Sequence, residues 1–515
     1  MKSLWILEDQ LVEDHPVLST LDRTKDRLLF IESEARARAL PYHRQRLVLL
    51  FSAMRHYAEQ RRQEGWHVDY HCVEDTPQYL PALETHIKKS KPERILLMEP
   101  NNHFEAVAIQ KIAHSLQCTL QIFPTNLFLV PREDFATWAQ GKKRLLMEAH
   151  YRRMRSELGI LLEPNGDPAG GQWNFDAENR GGVQDWRKAG SPMPQADPRS
   201  EPDAMTRQVI ETVDNLFADH PGRAADFWVP VTRKESLEWL ERFIDTRLPE
   251  FGNWQDLMLN GEYTFFHSVI SPMINIGLLH PLECVAKAEC AFREGRAPLA
   301  AVEAFIRQII GWREFVNGIY WLKMPEYAES NALEANRPLP EFFWTGETDM
   351  RCVGQCVKQV LATGYNHHIQ RLMILGNFFL LAEIRPQEVL RWFSALYLDA
   401  HDWVMAANVL GMVLHADGGF MATKPYAASA AYISRMSNYC DGCKYHPDRK
   451  TGEGACPFNL LYWNFYDRHA KRFANNPRTA MPVRSWLKRN PADKERIIRE
   501  AAEFLDQWVP VTSKA

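Results

Sequence analysis

Residues 305–321, "FIRQIIGWREFVNGIYW", place apolar side chains at helical intervals and, taken alone, read as an amphipathic helix with a core tryptophan. The stretch sits in a long region, from about 226 to the C-terminus, where nearly every segment repeats that pattern and none alternates with a period of two. A large all-α domain is the expectation for 226–515. Residues 1–130 read differently. Five short apolar runs, "LWIL", "LLFI", "VDYHCV", "RILLM" and "LQIF", alternate with amphipathic stretches such as "RQRLVLLFSAMRHYAEQRRQ". That alternation calls for a Rossmann-like α/β domain, a parallel sheet with helices on its faces. Between them, 131–225 is polar and rich in Gly, Pro and Asn, as expected of an interdomain linker that wraps another domain or of a functional loop.

The chain has 515 residues, 45% hydrophobic and 24% charged, which suits a soluble protein of two or three domains. No apolar run approaches the roughly 20 residues that span a bilayer, and the N-terminal "LWIL" is too short for a secretory core. The expectation is a cytoplasmic protein, without membrane contact. A net charge of -4 supplies no global attraction to nucleic acid, so any such binding needs a local basic face. Residues 142–155 and 469–489 are basic enough, although solvated helix faces explain either one.

Nine cysteines in a reducing compartment argue against disulfides. Cys440 and Cys443 form a C-x2-C pair and Cys456 follows in the same glycine-broken loop, so three soft ligands can converge. Two completions stay open on spacing alone. His446 would give a zinc site of three cysteines and one histidine. Cys352, with Cys356 as its rival one helical turn away, would instead complete an iron–sulfur cluster, and the Cys456-Pro457 dipeptide echoes such sites.

The 305–321 helix resembles the Trp-Arg-Glu-Phe signature of the photolyase and cryptochrome flavoproteins. Three further stretches resemble that family's motifs in the same order: "HSVISPMINIGLL" (267–279), "NHHIQRLMILGNF" (366–378) and "LDAHDWVMAANVLGM" (398–412). "EDQL" (8–11), "WNFDAENR" (173–180) and "DGGFMATKPYAASAAYI" (417–433) are similar to motifs of its iron–sulfur bacterial branch. The resemblance covers essentially the whole chain and implies the photolyase/cryptochrome fold: an α/β antenna domain, a linker, and an all-α FAD-binding domain.

The resemblance implies a light-driven (6-4) photolyase that acts on UV-damaged DNA with the lesion flipped out, as a monomer. A photoreceptor of the same fold is the alternative, and a zinc-dependent nucleic-acid-binding protein would leave the flavin motifs unexplained. His267, Ser268, Val269, Ile270 and Ser271 would hold the FAD diphosphate. Trp312 and Arg313 would wall the cavity, Arg371 would sit by the flavin, and Asn408 would face its N5. Asp399, ahead of Asp402, would meet its pyrimidine edge. His368 would be the general acid at the lesion, with Leu372 where animal and plant enzymes carry a second histidine, and Gln308 would face the substrate. Trp392 and then Trp344 would relay electrons, with Phe393 where some relatives have tyrosine. A 6,7-dimethyl-8-ribityllumazine antenna would lie near Asp9, Gln10 and Glu32. A 4Fe-4S cluster on Cys352, Cys440, Cys443 and Cys456 would leave His446 as a loop residue.

Overall fold

In a computed structural model that describes residues 1–75, 78–195 and 199–508, all five apolar runs of the first 130 residues contribute strands. These are β1 (Ser3–Trp5), β2 (Arg27–Ile31), β3 (His67–His71), β4 (Ile95–Met98) and β5 (Leu120–Phe123), all parallel in the order β3-β2-β1-β4-β5. Alternate residues face opposite ways, so the sheet splits its apolar side chains between two layers. Trp5, Leu29, Ile31, Ile95 and Leu97 pack under the helices Tyr79–Ser90 and His103–Ser115. Leu4, Leu28, Phe30, Leu96 and Met98 face the other way and join the main core with helix Arg44–Gln63. The strand order reverses direction at β1, between β2 and β4, and ligands of open parallel sheets bind beyond the carboxyl ends at such a point.

The 131–225 segment carries four helices, Arg132–Ala139, Met147–Leu158, Val183–Lys188 and Ala204–Leu216, joined by the polar stretches seen in the sequence. Arg152 and Arg153 are solvated and paired one turn away with Glu148 and Glu157. Arg155 on the same helix is fully buried; it donates to the carbonyls of Trp173 and Leu161 and lies 5.1 Å over the Trp173 ring.

The opening stretch belongs to a continuous helical run made of Leu299–Ile306, a π-helical turn Arg307–Arg313, and Glu314–Lys323. A π turn bonds i to i+5 and so takes more residues per turn than regular helix. Gly318 is required by close approach: a Cβ there would lie 2.2 Å from the Phe135 ring, so this glycine lets the helix at Arg132–Ala139 dock. Glu314 fixes the next connection, accepting from the backbone N–H groups of Leu129 (2.8 Å) and Val130 (3.1 Å). No helix among the described residues is long and apolar enough to cross a membrane.

Candidate functional site

Two further helical runs contain π turns, Gln370–Gly376 and Ala407–Val413, and all three line one cavity of about 570 Å³. The second residue of each turn, Gln308, Arg371 and Asn408, faces that cavity. Gly376 permits the close packing of two of these runs, since a Cβ would meet Val413 Cγ1 at 2.5 Å. The cavity wall also includes His267, Ser268, Val269, Ile270, Ser271, Trp312, Arg313, His368 and Asp399, so most of the expected flavin residues converge.

Polar chemistry concentrates at Arg371. Its guanidinium meets the Asp399 carboxylate through two bonds of 2.9 and 3.1 Å, its Nε donates to the Asn366 carbonyl at 2.7 Å, and it lies 4.0 Å over the Tyr397 ring. Ser271 Oγ donates to Asp399 Oδ2 at 2.7 Å, tying the pair to the 267–271 turn. The two aspartates that sequence spacing left in competition are thereby separated. Asp399 lines this cavity, whereas Asp402 receives the Tyr320 hydroxyl and lines a different one.

The 267–271 turn is strained. Val269 has φ of +55°, a left-handed conformation that a β-branched residue adopts only at a cost of about 1–3 kcal/mol. Trp239 Nε1 holds the turn by donating to Ser268 O at 2.9 Å, and Arg247 Nη1 does so at His267 O, 3.2 Å. The His267 ring stacks on that of His367 at 4.5 Å. Burial pushes the His267 and His368 imidazoles down to about 4, and Arg371 adds to the effect on both. Arg313 pairs with Glu314 at 2.8 Å and stacks over Phe128, while its Nε is buried without a partner. Gln308 stands exposed on the rim.

Trp392 is fully buried one layer back. It donates to Phe343 O at 2.9 Å and touches Phe393, a cavity-lining ring, at 5.2 Å. Trp344 follows Phe343 in sequence and is half-buried, so the two tryptophans flank one phenylalanine. Sequence reasoning missed Tyr397, stacked on Phe393 at 5.4 Å. It also missed the acidic wall of Asp176 and Asp256, the latter pushed up to about 6 by burial and by the Asp176 charge. The motif "WNFDAENR" carried the signal: its Asp176, Asn179 and Arg180 all reach the cavity.

A second cavity of about 530 Å³ lies beyond the carboxyl ends of the strands, at the β1–β4 switch point. Asp9 lines it, with its carboxyl raised to about 6 by burial against the opposing charge of Arg36, and Asn101 donates to it at 3.1 Å. Gln10 and Glu32, expected beside Asp9, are not in its wall. Gln10 donates to the carbonyls of Met98 and Glu99, both at 3.1 Å. Glu32 is consumed by two 2.8 Å bonds from Arg55 and by the Tyr70 hydroxyl at 2.6 Å. The wall instead gathers Arg36, Arg46, Asn101, Glu105, His401 and Trp403.

The cysteines meet away from both cavities. The Cys352 thiol is pushed up by burial and by the neighbouring Cys456, Cys356, Cys440 and Cys443 sulfurs. Cys356 points to the Tyr439 hydroxyl at 3.8 Å, and His446 lies exposed in the loop.

A (6-4) photolyase of Agrobacterium fabrum is 42% identical over 505 residues, covering 97% of this chain and 98% of that protein. The chain belongs to the photolyase-related family. The family profile for deoxyribodipyrimidine photo-lyase-related protein matches residues 4–229. A bacterial class III photolyase from Agrobacterium tumefaciens shares the fold, with a TM-score of 0.59 at 15% identity over 98% of this chain and 97% of its own. A Synechocystis cryptochrome does so with 0.54 at 13% identity over 96% and 91%. A photolyase-related chain takes a flavin and acts on DNA, and the cavity with the three π turns is its candidate flavin site.

Proposed function

We propose that this protein repairs (6-4) photoproducts in DNA with light. The observation that carries the reading is the 42% identity to a (6-4) photolyase along 97% of the chain. The geometry fits the cofactor. A largely apolar cavity of about 570 Å³ with a few convergent polar groups, a strained Ser268–Ser271 turn and an orphaned Arg313 Nε suits FAD. The turn would hold the diphosphate, and the Arg371–Asp399 pair would sit against the ring, with Asn408 near N5. When bound, reduced FAD supplies a light-excitable donor that lends one electron to the lesion and recovers it.

The chain's own part is to seat a flipped-out base and to move a proton. His368 lines the cavity, is exposed at its mouth and is assigned as the acid, with Gln308 facing the substrate. In the protein alone, desolvation of the part of the ring that lines the cavity and the Arg371 charge both disfavour its cation. Asp399 acts in the opposite sense, and DNA phosphates over the cavity add negative charge that favours protonation. Trp392, reaching the cavity through Phe393, and then Trp344 would carry electrons inward from solvent.

Two more groups are assigned on chemistry. Cys352, Cys440, Cys443 and Cys456 would hold a 4Fe-4S cluster, because four soft thiol ligands approach one another there. The smaller cavity would hold a lumazine antenna. Its buried wall leaves Asp9 Oδ1, Asn101 Oδ1, Glu105 Oε2, His401 Nε2 and Arg46 Nε without partners, a set of acceptors and donors that suits a pyrimidinedione edge and ribityl hydroxyls. The domain division 1–130, 131–225 and 226–515 assigns the antenna to the first part and flavin and cluster to the last.

The test is illumination of the purified, flavin-loaded protein with an oligonucleotide carrying a (6-4) lesion. Restored thymines are expected, and His368→Ala should lose repair while keeping its flavin spectrum. No repair by the wild-type protein would point to a photoreceptor, and full repair by the variant would refute the acid assignment.

A further inference from the structure

A histidine–aspartate cluster at the sheet edge is used by neither cavity nor by the cysteine loop. Asp69 and His71 stand two apart on β3 and therefore on one face, and His86 comes down onto them from the helix Tyr79–Ser90. One carboxylate oxygen of Asp69, His71 Nε2 and a ring nitrogen of His86 all lie within 4.8 Å of one another. His86 Nδ1 is 2.6 Å from Asp69 Oδ2, and His71 Nε2 is 3.6 Å from the same oxygen.

We propose that Asp69, His71 and His86 form a site for a divalent transition-metal ion of the zinc class. Two imidazoles and one carboxylate are the donor set that such an ion takes with a water in the fourth position. Bonds of about 2.1 Å need donor edges of roughly 3.4 Å. His71 to Asp69 is already at that separation, and His86 has to retreat by less than an ångström. Two observations point to a ligand. His71 Nε2 is buried and has no hydrogen-bond partner. His86, which has no exposure, is oriented through its far nitrogen by Ser3 Oγ at 2.8 Å, the outer-shell contact that fixes a ligating imidazole. The two histidines that face it hold the Asp69 carboxyl well below the usual carboxylate range. Lys89 also faces the cluster, 3.7 Å from the other Asp69 oxygen, but its side chain is 69% exposed and free to swing into solvent. A bound ion would clamp the edge strand to the helix over it.

The test uses the full-length protein with its native iron and flavin, dialysed against micromolar Zn²⁺ and counted by mass spectrometry. One zinc per chain is expected in addition to the iron. That zinc should be lost in both Asp69→Asn and His71→Gln, with iron, flavin and far-UV spectrum unchanged. Absence of zinc in the wild-type protein, or its retention in either variant, overturns the proposal. Should the variants fold poorly, a zinc-edge anomalous map of wild-type crystals decides: a peak among the three side chains upholds the site, and its absence there ends it.

Discussion

Replacing Asp399 by asparagine tests the centre of the flavin assignment. The side chain keeps its shape, but Arg371 loses its counter-ion in a site where the two side chains are only 14% and 11% exposed. Breaking a buried pair from one side costs about 3–5 kcal/mol, because the remaining charge stays desolvated. Partial relief comes from the Asn366 carbonyl and the Tyr397 ring, which still face the guanidinium, so the lower end of that range is expected. Urea unfolding followed by far-UV circular dichroism, with flavin release read by fluorescence, measures both losses. The double variant Asp399→Asn/Arg371→Gln should be less destabilised than the sum of its single changes, since neither partner is left charged and alone. Asp402→Asn is the contrast: it faces the other cavity and should leave flavin content intact. A loss of under about 1 kcal/mol in Asp399→Asn, against the 3–5 kcal/mol of a one-sided break, would refute the reasoning.

Trp392→Phe removes the indole N–H that Phe343 O accepts and the ring behind Phe393, so flavin photoreduction followed by absorbance should slow severely with flavin still bound; an unchanged rate removes Trp392 from the relay. Acid should weaken the fold through its buried histidines. His43 and His267 are pushed down from 6.5 to about 4, so the unfolded chain binds protons first. Their stabilisation is complete above pH 6.5 and is lost as pH falls towards 4, up to about 3 kcal/mol each. Urea midpoints compared at pH 7.5 and 5 check this, and equal midpoints contradict it. Cys443→Ala should lose iron and lower the thermal midpoint before it alters the flavin spectrum; iron retained at the wild-type level would remove Cys443 from the ligand set.

The sheet was legible because its central strands β1, β2 and β4 are buried and must be written as short apolar runs, while the edge strands β3 and β5, only partly covered, still keep enough apolar residues to be read. The cysteine set was legible only in part. Spacing offered both His446 and Cys352 beside the three loop cysteines, and it could not say that the helix Arg351–Thr363 brings Cys352 near the loop sulfurs while Cys356 lies 3.8 Å from the Tyr439 hydroxyl. At the second cavity "EDQL" marked a wall-forming turn but could not say which of its side chains faces inward. The turn after β1 aims Asp9 at the cavity and sends Gln10 back to β4, and Glu32 is taken by Arg55.

The flavin cavity shows why spacing misleads there. Residue intervals translate into directions only where a helix keeps 3.6 residues per turn, and each of the three runs that wall this cavity departs from that period at the wall itself. The register of Gln308, Arg371 and Asn408 is therefore set by π turns, a bonding pattern with no compositional signature. Asp402 opens the regular turn Asp402–Ala406 and lines the other cavity, while this one takes Asn408 from the π turn that follows and Asp399 from the preceding loop. The same reasoning makes the π turns a requirement of the site, because restoring regular helix at any of them rotates the residues after the turn by about 100° relative to those before it, so that Asn408 no longer shares the wall with Met412 and Val413.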